Sequence, residues 1–275
     1  MASQQIHARS VGEITDQDRV GSPEYVAGGA RRDELSAINI SKTSGNKQLL
    51  KNVSLSIRPG EITALIGPSG AGKTTLLKAL SLLEIPDSGN LLIDDLTYSF
   101  PFRKNQKVAP PWPKLTVVFQ QLFLWPHLTL RKNITLPLGN HLDEPTSARL
   151  EQLIDRFKMR EFIDRHPNET SIGQRQRAAL VRALVLNPKY ILLDEITSSL
   201  DVEQVAYILS ELRVMQEQGI GILLVTHLLH FAREAADSIV FMEHGKVIES
   251  GGKEVLAQPR QERIKSFVAM AEFAS

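Results

Sequence analysis

The nine residues Gly67-Pro68-Ser69-Gly70-Ala71-Gly72-Lys73-Thr74-Thr75 fit the pattern G-x-x-x-x-G-K-[ST] at every fixed position. That spacing suits a polyphosphate. Glycines let backbone N–H groups converge on phosphate oxygens without Cβ clashes, and a following helix adds the partial positive charge of its N-terminus. Lys73 is placed to meet the β- and γ-phosphates, and the Thr74 hydroxyl to meet Mg²⁺. The flanks fit: Ile62-Thr63-Ala64-Leu65-Ile66 reads as a buried strand, and Thr75–Leu83 as a largely apolar helix. A chance glycine-rich turn does not explain strand, loop and helix in this order.

Hydrolysis needs more groups. Asp194 and Glu195 follow the apolar run Tyr190-Ile191-Leu192-Leu193. One carboxylate must hold Mg²⁺ and a second must orient or deprotonate the attacking water. Asp194 is the candidate for the first task and Glu195 for the second, although a carboxylate pair at a strand end can also be plain solvated surface. His227 ends another apolar strand, Ile220–Thr226. By itself it is a structural histidine; beside Glu195 and a γ-phosphate it becomes a hydrogen-bonding link. Gln120 ends Leu115–Phe119 and can coordinate Mg²⁺ and position water, or merely finish a strand. Ser171, Gly173 and Gln174 open a helix with a hydroxyl and a glycine amide, a grouping that suits a phosphate oxygen and also an ordinary N-cap.

These groups need elements to hold them. Leu35–Ile40 and Val53–Ile57 alternate apolar and polar residues and predict a small antiparallel sheet, with turns at Gly45-Asn46 and Pro59-Gly60. Leu91–Asp94 adds a strand. Residues 98–113, with Pro101, Pro110, Pro111 and Pro113, predict an exposed loop. Leu150, Leu153, Ile154 and Phe157 share one helical face, with a cap expected at 143–147. Gly173–Leu184 predicts a helix. Ser238–Met242 and Lys246–Glu249 predict late strands about a Glu243–Gly245 turn, and Ile264, Phe267, Val268 and Ala271 a final helix. Strands alternating with helices imply a parallel sheet covered on both faces, with ligands at the carboxyl ends of its strands. Lys73, Gln120, Asp194 and His227 all fall just past such ends. Residues 1–33 lack periodicity and predict a disordered tail.

Composition narrows the classes. The 275 residues include no cysteine, which excludes disulfides, thiolate metal sites and a cysteine nucleophile. The formal net charge of +1 implies no general attraction to nucleic acid. No apolar run reaches the roughly 18–20 residues that span a bilayer, and no signal-peptide core is visible near Met1. Membrane association is therefore expected through a partner.

The motifs together resemble those of the nucleotide-binding subunit of an ABC transporter, over residues from about Leu35 to the C-terminus. The phosphate loop resembles Walker A, and Gln120 with Gln121 and Trp125-Pro126-His127-Leu128-Thr129 the Q-loop. Ser171-Ile172-Gly173-Gln174 resembles the signature, Tyr190–Glu195 Walker B, Ser198-Ser199-Leu200-Asp201 the D-loop, and Thr226-His227 the switch histidine. The segment Gly252–Phe267 is similar to the ends of polar amino acid importer ATPases. The resemblance implies an α/β P-loop NTPase, RecA-like, with an N-terminal antiparallel β subdomain, an inserted helical subdomain near 121–178 and a C-terminal helical extension over 251–275. It implies ATP and Mg²⁺ as cofactors and a peripheral place on the cytoplasmic face of the membrane. The implied partners are a second ATP-binding subunit (a homodimer), a membrane permease and, indirectly, a solute-binding protein. Ser171 and Gly173 would then touch the partner's γ-phosphate, Asp201 would communicate across that interface, and Gln120 would hinge between site and permease.

Five departures bear on activity. Ser44 stands where the family places an aromatic on adenine. Thr170 and Ile172 replace the usual Leu and first Gly of the signature, Ile196 a common Pro, and Leu228 a common Asp. The expected function is an ATPase that drives import of polar amino acids. The alternatives are a non-transport ABC ATPase and a weakly hydrolysing regulatory subunit.

Overall fold

A computed structural model describes residues 33–139, 142–198 and 200–273. The tail expected over 1–33 lies, but for Asp33, outside the described residues. Two sheets form the frame. The first is antiparallel, ordered β2-β1-β4-β5, from β1 (Leu35–Ser44), β2 (Lys47–Ile57), β4 (Ser88–Ile93) and β5 (Leu96–Phe100). The second, ordered β10-β9-β3-β8-β7-β6, contains β3 (Ile62–Ile66), β6 (Leu115–Val118), β7 (Tyr190–Asp194), β8 (Gly221–Val225), β9 (Ser238–Glu243) and β10 (Lys246–Gly251). All its pairings are parallel except β10 with β9. Strands β3, β7 and β8 are buried at every residue, which is why they read as continuous apolar runs rather than alternating ones.

The expected loop over 98–113 is corrected at its start. Tyr98 and Phe100 are buried and alternate with exposed Ser99 in β5, which pairs with β4. The period-two signal is only five residues long and ends against Pro101, so the prolines masked it. The first strands are also longer than expected and meet at the Gly45-Asn46 turn. Asp87 ties that hairpin to the chain entering β4. Its carboxylate accepts from the Thr43 amide at 2.6 Å, and Lys42 Nζ donates to Ile85 O at 2.6 Å.

Helices α1 (Lys73–Leu80), α2 (Leu130–Thr135), α3 (Glu144–Arg156), α4 (Ile172–Leu184), α5 (Val202–Glu217), α6 (Leu229–Ala235), α7 (Glu254–Ala257) and α8 (Glu262–Phe273) complete the chain. Asp143 caps α3 by accepting from the Thr146 amide. Leu150 and Ile154 are buried with Phe157 in a core shared with α2, α4 and the parallel sheet. Leu76, Leu77 and Leu80 of α1 join a second core with Leu35, Ile57 and Tyr190, so the antiparallel sheet closes over the other side of α1. Helices α5 and α6 are additions to the sequence reading.

Candidate functional site

Register brings the chemistry together. Leu65 of β3 pairs with Val225 of β8, and Val225 pairs with Asp194 of β7. The three strands therefore end side by side, and whatever follows each one meets at a single edge.

From β3 the chain turns into the phosphate loop. Gly67 has φ 149°, and a Cβ there would fall 2.0 Å from the carbonyl oxygen of Met242, so only glycine lets the loop rest on β9. Gly72, at φ 103°, caps α1 with its backbone pressed toward Leu49 O. Ser69 and Gly70 form the exposed tip. The Ala71 amide donates to Pro68 O, and Ala71 O accepts from the Gly245 amide. Lys73 is 7% exposed. Its Nζ donates to Gly67 O at 2.7 Å and Pro68 O at 3.1 Å. The loop's own carbonyls thus hold the ammonium at the mouth of the cradle. Burial lowers the Lys73 pKa, against the pull of Glu195 and Asp194. Thr75 sits in the first turn of α1, half-buried.

Beside Lys73, Thr74 Oγ1 donates to Asp194 Oδ2 at 3.0 Å. The other oxygen, Asp194 Oδ1, is buried and has no hydrogen-bond partner. Burial raises the Asp194 pKa, opposed by the Thr74 hydrogen bond and reinforced by the charge of Glu195. An orphaned carboxylate oxygen next to a hydroxyl fits a hard cation. Among the described residues no set of three or more His, Asp or Glu side chains converges to hold an ion by itself. One carboxylate and one hydroxyl are what Mg²⁺ needs when phosphates and water supply its remaining ligands.

Glu195 follows with φ 49°, a left-handed conformation that costs a side-chain-bearing residue energy and recurs at functional sites. Its amide donates to Val225 O at 2.9 Å, which locks the turn to β8. His227 Nδ1 stands 3.6 Å from Glu195 Oε2, an ion-pair separation beyond direct hydrogen-bonding distance. Pro68, Lys73, Glu195 and His227 line one cavity of 710 Å³.

Gln120 follows β6 at the edge of the parallel sheet. Its Nε2 donates to Ser198 Oγ at 3.3 Å, because β6 is the edge strand of the sheet and its end faces the turn after β7. Ser171, Gly173, Gln174 and Asp201 form a second cluster that does not line the cavity. Ser171 caps α4 in a reciprocal box. Its Oγ accepts from the Gln174 amide at 3.2 Å, and Gln174 Oε1 accepts from the Ser171 amide at 2.9 Å. Ile172 is the first helical residue of α4, so the β-branched side chain needs no glycine-only backbone. Asp201 caps α5 and gives both carboxylate oxygens to Gln204, at 2.8 and 2.7 Å. A Cβ on Gly173 would fall 2.1 Å from Gln204 Oε1, itself buried without a hydrogen-bond partner. Gln204 was missed by the sequence reading. Its one visible signal is the D-x-x-Q spacing of a capping box at the start of α5.

Comparison with known proteins gives the family. Residues 50–198 match the family model described as ABC transporter. The chain is 38% identical over 233 residues to the arginine transport ATP-binding protein ArtM of Bacillus subtilis (strain 168), covering 83% of this chain and 96% of that one. It is 34% identical over 239 residues to the L-cystine import ATP-binding protein TcyC of the same organism, covering 85% and 97%. Among solved structures, the dimeric post-hydrolysis state of the ATP-binding cassette MJ0796 with ADP and Pi aligns at TM-score 0.68 and 29% identity, over 80% of this chain and 98% of that one. The strand-end chemistry and these likenesses have a common explanation: the chain belongs to the ABC transporter family, as one of its ATP-hydrolysing cassettes.

Proposed function

We propose that this cassette supplies the energy for import of polar amino acids, acting as a pair of subunits beneath a membrane permease. The observation that carries the reading is the Thr74–Asp194 pair with its orphaned Oδ1, set under a glycine cradle and beside Glu195. In this reading backbone amides of Gly67–Thr75 bind the ATP phosphates. Lys73 Nζ leaves Gly67 O and Pro68 O for the β- and γ-phosphates. Thr74 and Asp194 would hold Mg²⁺, which would supply positive charge against that of the phosphates. Glu195 aligns the attacking water and takes its proton, and His227 bridges Glu195 to the γ-phosphate.

Ser171, Gly173 and Gln174 lie outside the cavity, which supports the view that they serve the nucleotide of a second subunit, with Asp201 linking the two. A homodimer fits the dimeric cassette relative. The surface for a permease is the apolar groove of 770 Å³ lined by Leu83, Ile85, Trp112, Leu136, Pro137 and Arg182. Leu83, Trp112 and Leu136 are about half exposed or more there, which is unusual for such side chains unless they meet a partner. The guanidinium of Arg182 donates to Leu122 O and Phe123 O, so the groove abuts the segment that follows Gln120. No helix among the described residues is long and apolar enough to cross a membrane; in this reading the permease holds the cassette at the cytoplasmic face. A solute-binding protein would deliver the amino acid from the other side.

The weakly hydrolysing alternative rests on Thr170 and Ile172, yet the helical backbone at Ile172 removes the strain that would support it. The test is reconstitution with the permease in liposomes. ATP turnover stimulated by arginine or cystine through a binding protein is expected. Uptake of neither, with turnover insensitive to Lys73→Ala, overturns the reading.

A further inference from the structure

The C-terminal helix lies outside the matched residues 50–198, yet it reaches the nucleotide site twice. First, Phe267 and Ala271 of α8 stand in the wall of the cavity that holds Lys73, Glu195 and His227. Phe267 meets the fully buried Phe241 of β9 edge to face, with ring centroids 5.1 Å apart. Second, Arg263 in the first turn of α8 grips Glu243, the last residue of β9. Its Nε donates to both carboxylate oxygens, at 2.7 and 3.0 Å.

That strand end is the support of the phosphate loop. Met242 O is the atom against which Gly67 is packed, and the Gly245 amide donates to Ala71 O at 2.9 Å. Met242 Cε also faces Gly72. Glu243 is only 8% exposed. A carboxylate at that depth is costly without a cation. Removing the guanidinium would leave that carboxylate buried next to the carbonyl on which Gly67 rests. Ile264, fully buried, and Val268 anchor the helix independently, so the grip can be loosened without losing α8.

We propose that Arg263 is a positioning residue for nucleotide binding: through Glu243 it fixes the end of β9, and through it the phosphate loop, so that ATP affinity follows the seating of the C-terminal helix. This rests on the reading of residues 67–75 as the ATP site. A partner that moved α8 would then tune nucleotide affinity without touching the site.

The test uses the full chain and measures ATP binding by equilibrium titration with Mg²⁺, alongside thermal unfolding. Arg263→Ala is expected to weaken ATP binding about three- to tenfold. The double variant Glu243→Gln with Arg263→Ala leaves no charge to bury and is expected to recover part of that loss. Arg263→Lys restores one contact and should lie between. Lys265→Ala, on an exposed turn of the same helix, should match wild type. A lower Tm for Arg263→Ala with unchanged ATP affinity overturns the proposal and leaves Arg263 a purely structural residue. If Arg263→Ala does not fold, unchanged affinity in Arg263→Lys overturns it equally. Wild type that binds no ATP, indistinguishable from Lys73→Ala, overturns the site reading and this inference with it.

Discussion

Thr74 and Asp194, 120 positions apart in the chain, share a 3.0 Å hydrogen bond that leaves one oxygen of the buried carboxylate unpaired. The hydroxyl fixes the carboxylate's rotamer, and the unpaired oxygen marks where a cation gains most. Asp194→Asn keeps the shape and removes the charge. ATP turnover should fall about 100-fold or more, since metal stabilisation of the transferring phosphoryl group is worth several kcal/mol. ATP binding measured in EDTA should stay within about twofold of wild type by the same reasoning. Malachite-green phosphate release and titration of a fluorescent nucleotide read the two effects. Equal losses in both would mean that the carboxylate shapes the loop rather than the metal.

Glu195, the proposed base, sits on a costly backbone. Glu195→Gln should lower kcat by about 100- to 10,000-fold, the range for a general base, with ATP affinity retained. Glu195→Gly should be at least as inactive, yet it relieves a left-handed φ of 49°. Its Tm should equal or exceed that of Glu195→Gln by about 2–4 °C, because the strain released is of order 1 kcal/mol. Differential scanning fluorimetry decides, and a lower Tm would show that the turn is not strained.

Ser44 is exposed at the tip of the first hairpin, so a larger side chain there costs little. Ser44→Tyr should tighten ATP binding about 5- to 150-fold if it supplies base stacking worth ~1–3 kcal/mol. Discrimination between ATP and GTP, measured by competition, should rise in parallel. No change would place the adenine elsewhere.

Gln204 locks the Asp201 carboxylate and packs on Gly173. Gln204→Ala should leave ATP affinity of the isolated subunit unchanged but cut turnover about 3- to 30-fold, the size expected of a coupling residue. ATP-driven association in a Glu195→Gln background, followed by light scattering, should weaken with it. Normal association would confine Gln204 to capping α5.

Asp87 gives a pH signature. Burial pushes its pKa up, but the Thr43 amide and Lys42 outweigh this and hold it below the ordinary value. A depressed folded pKa stabilises above the unfolded value, near about 3.9, and that contribution is lost as the pH falls through the folded one. The Tm gap between wild type and Asp87→Asn should therefore be present at pH 7 and narrow below about pH 4. A constant gap across an acid titration would sink the idea.

The phosphate loop and the strand-end carboxylates were legible because each is local: a glycine spacing after an apolar run, or an acidic pair ending one. Strand β5 was hidden by Pro101, and α5 because its apolar residues bury fully only at Ile208, Leu212 and Met215. The metal role of Gln120 was expected from the family resemblance, because a strand end alone provides only a polar terminus. The edge position of β6, which turns it to Ser198, is a property of sheet order. Arg263 meets Glu243 through a contact that no spacing announces, and Gln204 shows only its D-x-x-Q spacing.

The support under Gly67 has a temporal meaning. Strand β3 has its two neighbours in β8 and β9, and the Thr63–Ser238 hydroxyl contact spans 175 positions. At ~5–20 residues per second, a ribosome that has just made Thr63 needs roughly 9–35 seconds to reach Ser238. Until then the nascent chain carries its glycine motif without β9, the strand on which Gly67 rests. The seat of Gly67 on the Met242 carbonyl is thus completed only when synthesis has passed β9.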